Sequence, residues 1–149
     1  MPAAAKRVLV KRVYEKPARA DGTRVLVDRL WPRGLTKDAA ALDAWLRDLA
    51  PSHELRKWFH ARPEEWITFR KRYLKELSQP DAAAALDELY RLAQLKKPLT
   101  LLFASKNLER NNAIVLKDLL NGMRKPPTGT GPAGARAARH REAKRMPRR

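Results

Sequence analysis

Two short polar clusters carry the side chains with chemistry in them. The first is Asp28-Arg29-Leu30-Trp31-Pro32-Arg33-Gly34, and the second is Ser105-Lys106-Asn107 with Asn111-Asn112 a few residues beyond. Arginine presents a planar fork of N–H donors that matches phosphate or carboxylate oxygens, and lysine supplies a point charge. Arg29, Arg33 and Lys106 are therefore candidates to hold an anion, with donors at a helix start near Asn112 to assist. Asp28, Tyr14 and Ser105 are the candidates for a catalytic role, moving protons or orienting a ligand. Trp31, in a loop before Pro32, is a candidate to stack on a ring. Each residue also has a structural alternative. Asp28 can hold a backbone turn. Arg29 can pair with a neighbouring acid, Arg33 can simply be solvated, and Trp31 can lie as a lid on the core. Tyr14 and Ser105 can be satisfied strand-end hydroxyls, and Ser105 lacks the glycine-flanked nucleophile elbow of hydrolases.

These groups need elements to position them. Arg7 to Val13 reads as a strand that ends at Tyr14, and Thr23 to Asp28 as a second, continuously apolar strand. Leu99 to Ala104 is a third apolar run, ending at Ser105. Such runs suit strands buried on both faces of a parallel sheet. Thr36 caps a short turn over residues 37–41, and Ser52 caps a helix to His60. Pro63 suits the first position of a helix reaching about Ser78, and Asp81 caps another from Ala82 to Leu95. A last helix runs from about Glu109 to Asn121. Residues 42–50, LDAWLRDLA, count better locally as helix than as strand, with Leu42, Trp45, Leu46 and Leu49 on one face. Strands alternating with helices predict an α/β fold: a mainly parallel central sheet flanked by helices, in one compact domain over residues 1–123. Ligands bind beyond the carboxyl ends of the strands in such sheets, where both polar clusters fall.

The 149-residue chain has a formal net charge of +17 and no cysteine. The absence of cysteine excludes disulfides, thiolate metal sites and a cysteine nucleophile. His53 and His60 lie seven apart with no third ligand at metal spacing, so no metal site and no cofactor is expected. No P-loop or dinucleotide-binding glycine pattern is present. Neither a signal-peptide core nor a membrane-spanning run is found, so a soluble cytoplasmic protein is expected, without a membrane partner. Nine of the 33 Lys and Arg, and one of the 16 acidic residues, fall in residues 124–149, leaving 24 and 15 for residues 1–123. The body is thus basic in itself. The tail, rich in Pro, Gly, Ala and Arg, has little apolar periodicity and is expected to be disordered when free. Such charge favours polyanions.

Four stretches carry a resemblance: VKRVYE at 10–15, DGTRVLVDRLWPRGL at 21–35, LAPSHELRKWF at 49–59 and TLLFASKNLERNNAIVL at 100–116. Together they resemble the YeaO-like family, domain of unknown function 488, in order over roughly residues 7–122. The resemblance implies an α/β fold in a bacterial cytoplasm, with no established activity, and an extra strand within residues 42–52. The basic tail lies outside it. The expected function is recognition of a phosphate-bearing or nucleotide-type anion, a phosphorylated small molecule, in a pocket at the carboxyl edge of the sheet. The alternative is a non-enzymatic nucleic-acid-associated protein that uses its basic body and tail for non-specific contact.

Overall fold

The computed structural model describes residues 8–122, so the expectation for the tail lies outside the described residues. Four strands form one sheet in the order β1-β4-β2-β3: β1 (Val8–Arg12), β2 (Thr23–Leu26), β3 (Ala44–Trp45) and β4 (Leu99–Phe103). All three pairings are parallel, with Val10 opposite Leu101, Val25 opposite Leu101 and Val25 opposite Ala44. The helices are α1 (Lys37–Ala40), α2 (His53–Ala61), α3 (Trp66–Glu76), α4 (Pro80–Ala93) and α5 (Asn112–Gly122). The α/β architecture is therefore as the residue pattern predicts. The central strands β2 and β4 are buried throughout, with Val25-Leu26 and Leu101-Leu102-Phe103 as their apolar stretches and the buried Arg24 and Thr100 hydrogen-bonded.

Successive residues in a strand point to opposite faces, and this alternation divides the core in two. Val25, Val27, Leu99, Leu101 and Phe103 join the large cluster with Leu55, Phe69, Tyr73, Leu86, Leu89 and Leu116 from α2–α5. Leu26 and Leu102 face the other way. There they meet Val13 in a small cluster covered by Trp31, Leu35, Leu42 and Trp45. The second face is thus closed by loop residues and two tryptophans rather than by long helices. Its other end is polar: the buried Arg24 donates to the Ala40 and Ala41 carbonyls and pairs with Asp21 at 2.6 Å. Asp21 also takes Lys11 at 3.0 Å, while Thr100 Oγ1 donates to the Asp21 carbonyl.

Several local expectations need correction. Residues 42–50 are not a helix. They form β3, followed by a 3-10 turn over Arg47–Leu49. Leu46 enters the large cluster and Trp45 the small one, a period of two that a helical wheel cannot register. Pro63 does not open α3, which starts at Trp66. Pro80, not Ala82, is the first residue of α4, behind Gln79, so Asp81 lies in the first turn rather than at the cap. Thr36 and Ser52 do cap α1 and α2, accepting from the Ala39 and Leu55 N–H groups.

Candidate functional site

The carboxyl ends of β2, β3 and β4 are joined at Asp28, just beyond β2. One carboxylate oxygen accepts the Ala104 N–H at 2.9 Å, and the other accepts the Asn112 amide at 3.2 Å. The same Asn112 amide donates to the Val27 carbonyl at 2.9 Å. The Asp28 carbonyl receives the Trp45 indole N–H at 2.8 Å, which brings in β3. One residue thus ties together three strand ends and the start of α5. Burial raises the Asp28 carboxyl above the usual aspartate range. The N–H bonds from Ala104 and Asn112 and the charge of Arg56 oppose this without cancelling it.

The second tie is Tyr14. Its hydroxyl donates to the Arg33 carbonyl at 3.1 Å, and its ring stacks on the Arg12 guanidinium with 5.0 Å from the guanidinium carbon to the ring centroid. Arg12 in turn donates to the Ala104 carbonyl at 2.7 Å and the Ser105 carbonyl at 3.0 Å. The 28–35 loop and the 104–107 loop are therefore bridged through Arg12 and Tyr14 as well as through Asp28. Ser105 Oγ accepts the Asn107 N–H, and the Asn107 side chain accepts the Glu109 and Arg110 N–H groups. These bonds hold the 105–110 loop in a compact turn before α5.

The candidate residues separate accordingly. Asp28, Asn112, Ser105 and Tyr14 each make bonds that shape the two loops. Arg29 donates to the Ala50 carbonyl at 3.0 Å and so anchors its loop to the corner before α2. Trp31 donates its indole N–H to the Leu35 carbonyl and packs edge-on against Trp45, ring centroids 5.4 Å apart. Arg33 and Lys106 are exposed, and among the described residues neither side chain has a hydrogen-bonding or ionic partner. Arg12 and Arg56 did not stand out in the sequence, since nothing local marks them. Arg12 meets its carbonyl partner 92 residues away.

A cleft of about 520 Å³ lies elsewhere, between α2 and α3, lined by Ser52, Leu55, Trp58, Arg72, Lys75 and Glu76 among others. Glu76 accepts both the Ser52 N–H and its hydroxyl, and Arg72 lies over Trp58 at 4.4 Å. No residue of the sheet-edge loops lines this cleft. Among the described residues no three His, Cys, Asp or Glu are grouped to hold a metal ion, and no helix is long and apolar enough to cross a membrane.

Comparison with known proteins gives these loops a context. Residues 7–131 match the family model DUF488-N3i, described as the inactive DUF488-N3 subclade. The chain belongs to the YeaO-like DUF488 family. It is 48% identical over 115 residues to the uncharacterized protein YeaO of Escherichia coli K12, covering 76% of this chain and 96% of that protein. It is 46% identical over 116 residues to the uncharacterized protein Rv3073c of Mycobacterium tuberculosis H37Rv, covering 78% and 95% respectively. No solved structure matches it. The family match covers both loops and every residue of the Asp28 and Tyr14 ties.

Proposed function

We propose that this YeaO-like protein is a non-catalytic recognition domain for phosphate-type anions, which bind at the carboxyl edge of the sheet. The observation that carries the reading is the contrast between Arg33 and Lys106 and everything around them. Asp28, Tyr14, Arg12, Ser105 and Asn112 are engaged in holding the loops. Arg33 and Lys106 stand exposed on those fixed loops without an acidic partner among the described residues. The bonded loops fix the backbone that carries the two cations, so an oxyanion has to order only their side chains, at about 0.5–1.5 kcal/mol each. The proposed site is exposed loop surface, rather than the pocket expected from the residues alone.

The same bonds argue against chemistry. General-base catalysis needs a lone pair directed at a substrate proton; the Asp28 carboxylate is instead used by the Ala104 and Asn112 N–H groups, one on each oxygen, which favours a structural role. The family description, an inactive subclade, points the same way for this chain.

Inorganic triphosphate is the direct probe. A ligand that binds only the folded state stabilises it by about 2.7 kcal/mol at a hundredfold excess over Kd. Triphosphate should raise the melting temperature of the full chain, and the double substitution Arg33→Ala with Lys106→Ala should remove most of the rise. An undiminished rise in that variant would place anion binding elsewhere, the basic tail included.

A further inference from the structure

The exposed groups at this edge are not all ionic. Tyr14 is 41% exposed, and the two loops also present Leu30 at 67% and Leu108 at 58% exposure. Exposed leucines on loops are common and decide little. Tyr14 is different, because its ring is fixed at both ends. The hydroxyl is held by the Arg33 carbonyl at 3.1 Å. One face lies on the Arg12 guanidinium, 5.0 Å from the ring centroid, and that guanidinium is itself held by the Ala104 and Ser105 carbonyls. An exposed tyrosine ordinarily loses side-chain freedom when a ligand orders it. Here that freedom is already restricted in the folded protein.

We infer that Tyr14 is a stacking platform for a nucleobase whose phosphate is held by Arg33 and Lys106. The inference rests on the anion reading above and names its ligand class: a heterocyclic base carrying phosphate, as a free nucleotide or as one unit of a single strand. Three features converge on it. Tyr14 sits between the two cations in the connectivity of the edge, bonded to the backbone of Arg33 and resting on the arginine that grips Ser105, next to Lys106. Among the described residues no ring, and no guanidinium besides that of Arg12, lies against the Tyr14 ring. The guanidinium behind the first face and a base on the second would make a cation–tyrosine–base stack, each layer electrostatically favourable to the next. Trp31, the aromatic that the sequence offered for this task, is instead engaged with Trp45 and Leu35.

Calorimetric titration of the full chain at low salt tests this with three probes: inorganic triphosphate, ATP and a twelve-nucleotide oligothymidylate. Base stacking on an aromatic side chain is worth about tenfold in affinity per base. ATP should bind about tenfold more tightly than triphosphate. Tyr14→Leu and Tyr14→Phe both give up the hydroxyl tie to the Arg33 carbonyl, so each is read by the ratio of its ATP affinity to its own triphosphate affinity: Tyr14→Leu should abolish that margin, and Tyr14→Phe, which keeps the ring, should retain most of it. Oligonucleotide binding that falls with Tyr14→Leu identifies a single strand as the source of the base. A Tyr14 effect confined to ATP identifies a free nucleotide. Equal affinity for ATP and triphosphate, or an ATP affinity unaffected by Tyr14→Leu, overturns the stacking inference and leaves the anion site standing. Failure of every probe to bind overturns both.

Discussion

Asp28→Asn is the most informative single change, because it alters the central tie without changing its shape. The carboxylate accepts two N–H donors, from Ala104 and from Asn112. An amide in the same place has one acceptor and one donor. Placing the new NH₂ against Ala104 confronts a backbone N–H that cannot turn away. Placing it against Asn112 confronts an amide that can flip only by giving up the Val27 carbonyl. Either way one half-buried donor is left unpaired, at about 1–3 kcal/mol. Relief of the burial that raises the Asp28 carboxyl offsets part of this. The net expectation at pH 7 is a loss of about 1–2 kcal/mol, or about 4–8 °C in Tm for a domain of this size. The sign of the pH dependence is also set. A carboxyl raised in the folded state contributes stability below its unfolded pKa and loses it as pH rises through the folded value. Wild type therefore gains from this group on acidification, and the substituted protein does not. Urea unfolding of both proteins between pH 7 and about pH 4 should show the gap widening as pH falls. A variant as stable as wild type, or a gap that closes on acidification, would refute the account of Asp28 as a half-buried structural acceptor.

Two further substitutions test the opposite end of the sheet. Burial raises the Asp21 carboxyl, but the Ala18 N–H, Lys11 and Arg24 outweigh it and hold the carboxyl below the usual range. Asp21→Asn should thus cost about 3 kcal/mol near neutral pH, by stranding the buried Arg24, with the gap to wild type narrowing as pH falls through the folded pKa; a pH-independent gap in urea melts would contradict this. Gly22 has φ +66°, and a Cβ there would lie 2.1 Å from the Pro98 carbonyl oxygen, so Gly22→Ala should lose at least about 2 kcal/mol in thermal unfolding. A variant that melts with wild type would show that this turn is not needed as drawn.

Much of this organisation was readable from residue pattern, and the failures have physical causes. Apolar runs at Val25-Leu26-Val27 and Leu101-Leu102-Phe103 announced two buried parallel strands, and the polar residues after them marked the edge where loops would meet. Strand β3 was not readable by counting, because two residues give no periodicity and Leu42, Trp45, Leu46 and Leu49 also fit a helix face. The role of Trp31 depended on Trp45, a neighbour in space that only the parallel β2–β3 pairing supplies. Arg12 was invisible for the same reason, its partners lying across the β1–β4 ladder. Asp28 was identified as important, but its use was decided by Ala104 and Asn112, 76 and 84 residues away.

The two ends of the sheet treat charge in opposite ways, and this contrast is the strongest physical argument for an anion at one of them. At the amino end, Lys11 and Arg24 converge on Asp21. At the carboxyl end, the carboxylate of Asp28 is occupied by N–H donors, and Arg33 and Lys106 remain exposed without an acid among the described residues. Exposed cations without an acidic partner occur elsewhere on this basic chain, Lys96 and Lys97 among them, so what sets Arg33 and Lys106 apart is the pair of bonded loops that carries them. The rigid ring of Tyr14 on the same loops extends the argument from charge to shape. A bare oxyanion would use the cations alone, whereas a ligand with a planar base would use both.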